Sequence, residues 1–192
     1  MKRNLILFLG LFYITSVEGQ LTKRLKNETE QKFIERVTNV TKFSYPIFST
    51  NKWNSNKETI FAFLNTPDEI TIGFMFIKIN KLVYKQILID SFSTFGNTAK
   101  IDTVFFVNAD KDKQKELVVM SKYDHNNNGK SIKIYWNLIF DNFYTMPKRL
   151  KYLKNISAKI DDGFNGSFDK EKNYGKFKNA REVKLELKKL GY

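Results

Sequence analysis

Between residues 58 and 143, apolar side chains fall at alternate positions in short runs separated by polar turns, the period of half-buried β-strands. The first run is 58–64, and Asn65-Thr66-Pro67-Asp68 turns the chain after it. In 69–80, Ile70, Ile72, Phe74 and Phe76 share one face, and Asn80-Lys81 leads into a third run over 82–92. Runs over 101–107, 115–123 and 132–140 complete the series, the last two joined by a turn centred on Asn128-Gly129. Parallel neighbours need crossovers of about a dozen residues or more, so the short links imply antiparallel pairing in chain order. The pattern therefore predicts a meander of about six strands.

A helical period flanks this region on both sides. Leu25, Phe33, Ile34 and Val37 stripe a charged stretch over 22–41. After the strands, Pro147 suits a first helical turn with Thr145 as its cap, and Leu150, Leu153 and Ile156 follow at helical spacing. Asn179 with Glu182 forms a capping-box-like start to a last helix, striped by Ala180, Val183, Leu187 and Leu190 and stopped by Gly191. Residues 43–56 and 161–178 read as irregular. The expected fold is α+β: one antiparallel sheet within 58–143, an N-terminal helix and two C-terminal helices in a basic region over 147–192, all in one domain over 20–192.

The first nineteen residues read as a signal peptide. Lys2-Arg3 precedes a short apolar run over 5–17, and Val17 and Gly19 are small enough for a cut ahead of Gln20. The run falls short of the roughly 20 residues a membrane span requires, and no later run is long and uncharged enough to serve as an anchor. The mature chain is expected outside the cytoplasm, periplasmic or extracellular. It has no Cys, so neither disulfides nor thiolate chemistry are available to it.

The formal net charge of +13 becomes +12 once Lys2, Arg3 and Glu18 leave with the leader. Such a balance suits a protein partner with an acidic face or an anionic polymer. Nucleic acid is disfavoured, because Lys is dispersed and Arg is confined to Arg24, Arg36, Arg149 and Arg181. An enzyme is also disfavoured. His125, the single His, sits in an Asn-rich turn, and nucleophile-elbow, phosphate-loop and zinc-ligand spacings do not occur. The functions left open are a non-catalytic binding module, an inhibitor or immunity-type partner of a secreted enzyme, and a carboxylate-based hydrolase of cell-wall or polysaccharide material. The last would use Asp161-Asp162, or Glu116 with Asp102.

One loop carries candidate chemistry. Between the strands 101–107 and 115–123, Asn108, Asp110, Asp112 and Glu116 occupy positions one, three, five and nine. Oxygen side chains at alternate positions of a tight loop can converge on a hard cation while the residues between them point outward. The run Phe106-Val107-Asn108-Ala109-Asp110-Lys111-Asp112-Lys113-Gln114-Lys115-Glu116-Leu117-Val118-Val119 resembles the FG-GAP/VCBS repeat of integrin-type propeller blades. That resemblance covers one degenerate copy over 104–119. It implies calcium in the loop, with Asn108, Asp110, Asp112 and Glu116 as the ligand side chains. Lys113 stands where the family has Gly, and no second copy follows at propeller spacing, so the expectation is a solitary blade-like hairpin.

Overall fold

A computed structural model describes residues 20–53, 57–94, 97–127, 130–160, 164–168, 171–173 and 176–192. The proposed leader, the Asn128-Gly129 turn and the Asp161-Asp162 pair lie outside these residues. In chain order the elements are β1 (Leu21–Lys23), α1 (Glu30–Thr38), β2 (Phe43–Thr50), β3 (Thr59–Asn65), β4 (Thr71–Lys78), β5 (Val83–Thr94), β6 (Asn97–Thr98) and β7 (Lys100–Val107). They continue with β8 (Glu116–Asn127), β9 (Lys130–Phe140), α2 (Lys154–Ser157), β10 (Phe164–Phe168), β11 (Glu171–Asn173) and α3 (Ala180–Lys189).

The strands form two antiparallel sheets rather than the single meander expected. One has the order β1-β5-β4-β3-β2, with β6 paired to β5; the other has the order β11-β10-β9-β8-β7. Within each sheet, consecutive long strands are neighbours, as the short turns require. The split follows from β3, where Ile60, Phe61, Ala62, Phe63 and Leu64 are all buried. A strand apolar on both faces needs cover on both sides. Phe61 and Phe63 face the second sheet, in a core with Met75, Ile77, Ile87, Ile89 and Phe92 that meets Leu117, Val119 and Phe140. Ile60, Ala62 and Leu64 face the other way, against Phe33 and Ile34 of α1. The far side of the second sheet buries Val118, Met120 and Ile139 beneath Val183 and Leu187 of α3. The result is four layers, helix, sheet, sheet, helix.

Four local expectations are corrected. Residues 43–50 form β2 despite Pro46, which sits on an edge strand flanked by register shifts, where a missing N–H is tolerated. The helix expected from Pro147 contracts to Lys154–Ser157. Leu150 N–H donates to the Leu88 carbonyl at 2.9 Å, and Leu88 N–H to the Lys148 carbonyl at 3.1 Å. That bridge sets Arg149 beside Leu88 and draws Leu150 into the inter-sheet core. The stretch read as a loop over 161–178 contains the β10–β11 hairpin. The N-terminal helix is shorter than its stripe, running from the Thr29 cap to Asn39, which is left-handed at φ 55°. The last helix starts where its box places it: Asn179 accepts from Glu182 N–H at 3.1 Å. Among the described residues no helix is long and apolar enough to cross a membrane.

Candidate metal centre

The loop between β7 and β8 is shaped by its own side chains. Asp110 Oδ1 accepts from Asp112 N–H at 2.8 Å, and Asp112 Oδ1 accepts from Gln114 N–H at 2.6 Å. Asn108 Nδ2 donates to the Asp112 carbonyl at 2.7 Å, closing the turn. These are the local bonds that Asx residues offer the backbone in place of a strand ladder. The expected alternation holds: Lys111, Lys113 and Lys115 are exposed, while Asp110, Asp112 and Gln114 are half-buried. The lysines therefore turn away from the loop interior.

Glu116 begins β8 and is fully buried. One of its oxygens accepts from Ala109 N–H, so the carboxylate ties the first turn of the loop to its last residue. The other accepts from Asn142 Nδ2 at 3.2 Å. Burial pushes this carboxyl up to about 7; the Ala109 hydrogen bond opposes that rise, and the charges of Asp110 and Asp112 add to it.

Carboxylate oxygens of Asp110, Glu116 and Asp141 all lie within 4.8 Å of one another. Of the four ligands suggested by spacing, Asp110 and Glu116 belong to this triad. Asp112 does not. Asn108 Oδ1 is buried with no hydrogen-bond partner, an oxygen the loop itself leaves unused. Asp141 was missed because it lies beyond β9. The register could have found it. Asn127 pairs with Lys130, and the ladder runs unbroken to Leu117 opposite Phe140, so one further step sets Glu116 across from Asp141.

Calcium takes oxygen ligands at roughly 2.4 Å, so oxygens facing each other across the ion stand about 4.8 Å apart. The triad is no wider than that sphere, and its hard anionic oxygens fit the ion. Lys151 reaches Asp141, its Nζ 2.8 Å from Oδ2, on an arm that is 73% exposed. The hydrogen bond and charge of Asp141, and then Asp110, hold the Lys151 ammonium above its ordinary range. It offsets part of the negative charge and can swing clear.

The other proposed carboxylate pair is not assembled. Asp102 is paired with Lys122, and it lies five residues along β7 from Val107, the partner of Glu116. That separation is about 17 Å at the rise of a strand. A second polar cluster, around Glu58, ties the first sheet together. Lys78 Nζ and Tyr84 Oη donate to its two oxygens at 2.6 and 2.7 Å. Burial works to raise the Glu58 carboxyl, but these donors outweigh it and hold it below its ordinary range. Comparisons with protein families, with characterised proteins and with solved structures find nothing that matches this chain.

Proposed function

We propose that this chain is an exported, non-catalytic binding module whose β7–β8 loop holds a calcium ion, the ion fastening that loop to the end of β9. The observation that carries the reading is the convergence of Asp110 and Glu116, from the β7–β8 loop and its end, with Asp141, just after β9, onto one span of 4.8 Å. Asn108 supplies a further oxygen from the same loop. The solitary blade-like hairpin then acts as a rigid tip presented to a protein or to an anionic polymer. Glu116 is poorly placed for the hydrolase reading, since a carboxyl with no exposure cannot reach a glycosidic oxygen. A thermal melt tests the calcium reading. A chelator is expected to lower the melting temperature of the wild type and to leave Asp110→Asn/Asp141→Asn unmoved, as linkage requires of a ligand that binds the folded state. Equal shifts, or none in either protein, would remove the ion.

A further inference from the structure

The outward face of α3 has a composition that neither the fold nor the proposed cation uses. Val183 and Leu187 are buried against the second sheet, which fixes the helix by one side. At 3.6 residues per turn, the position opposite them is Leu185, and that side chain is half exposed. Three of its four neighbours one turn away, Arg181, Lys188 and Lys189, are basic and exposed; the fourth, Glu182, is half-buried and accepts from Lys178 N–H at 2.7 Å. Arg181 and Lys188 have no acidic partner among the described residues, and Lys189 pairs with Glu186 at 3.1 Å. Lys184 lies at the edge of the face, over the Phe105 ring. Leu190, just past the helix, is also exposed.

We propose that this face docks flat on an anionic phospholipid surface. Cations alone would suit any polyanion; the leucine at their centre is what selects among them. A bilayer interface takes up an apolar side chain ringed by basic ones, whereas a polysaccharide or nucleic acid backbone gives Leu185 nothing to displace water against. The face is preformed, since the sheet already holds the helix, so little ordering accompanies binding. The proposal does not depend on the cation site.

The test is cosedimentation of the full chain with vesicles of phosphatidylcholine alone and of phosphatidylcholine doped with phosphatidylglycerol. Heparin and duplex DNA serve as soluble polyanions. Of the two vesicle types, binding is expected to the doped one only, and to fall steeply with salt. Arg181→Glu/Lys188→Glu, which breaks no ion pair among the described residues, is expected to weaken it at least about 25-fold, at about fivefold per basic side chain. Leu185→Gln is expected to weaken vesicle binding several-fold and to leave any heparin binding unchanged. An unaltered melting temperature shows that each variant folds. No binding to doped vesicles, binding indifferent to the charge reversal, or a Leu185→Gln variant that binds as well as the wild type overturns the proposal.

Discussion

Trp53 donates its indole N–H to the backbone carbonyl of Lys115 at 2.6 Å, and Lys115 is the residue before Glu116. The bond crosses from the first sheet to the second. Trp53 is itself buried, stacked on Phe106 and set edge-on to Phe61, so the end of the acidic loop is anchored in the inter-sheet core. Trp53→Phe keeps most of the ring area and leaves that carbonyl without its donor. A loss of about 1–3 kcal/mol in unfolding free energy is expected from denaturant titration. A change below the error of the fit would mean that the bond does not hold the loop.

The loop also predicts an unusual pH profile. A carboxyl raised to about 7 in the folded state keeps its proton where the unfolded chain has lost it. The folded state therefore gains from the proton at low pH, and metal-free protein loses stability as pH rises from about 4.5 through 7, on the order of 3 kcal/mol in all. Glu116→Gln retains an oxygen for Ala109 N–H and carries no charge. Without calcium it is expected to be flat over that window and more stable than the wild type above it, as read by melts across pH. A wild-type curve that rises with pH would reverse the sign and refute this account of Glu116.

Glu58 has the opposite sign. Its carboxyl is held low by Lys78 and Tyr84, so the stability it contributes is present above its ordinary value and is lost as pH falls through the folded one. Glu58→Gln is expected to flatten the acid limb of the stability curve below about pH 4.5. It should leave the decline between about pH 4.5 and 7, which belongs to Glu116, unchanged. Parallel profiles for mutant and wild type at low pH would show that the cluster contributes nothing there.

Gly73 has no room for a side chain. A methyl group there would come within 2.9 Å of Phe63 Cε1 and 3.0 Å of Phe92 Cε2, both in the packed inter-sheet core. Neither ring can retreat without disturbing its neighbours, so Gly73→Ala is expected to destabilise by about 1–3 kcal/mol in chemical denaturation. A neutral or stabilising result would indicate slack between the sheets.

Much of this was legible in the residues. The strand period located β3, β4, β5, β7, β8 and β9, and Asn179 with Glu182 marked the start of α3, because local chemistry decides those features. What the pattern left undecided was which faces would meet. A run such as Ile60–Leu64 is consistent with one thick sheet or two stacked ones, and the choice depends on partners distant in sequence. The same holds for Leu150, which has helical spacing but is captured by Leu88. Asp110 and Glu116 stood out by their spacing in the loop. Asp141 arrives through the β8–β9 register, which brings the residue after β9 opposite the residue that opens β8.

The account stands or falls on whether those three carboxylates take up an ion. Equilibrium dialysis of chelator-stripped protein against radioactive calcium measures this directly. The expected result is one ion per wild-type chain, with a dissociation constant on the order of 10⁻⁵–10⁻³ M, and none retained by Asp110→Asn/Asp141→Asn. Wild-type protein that retains no more calcium than the double variant would contradict it.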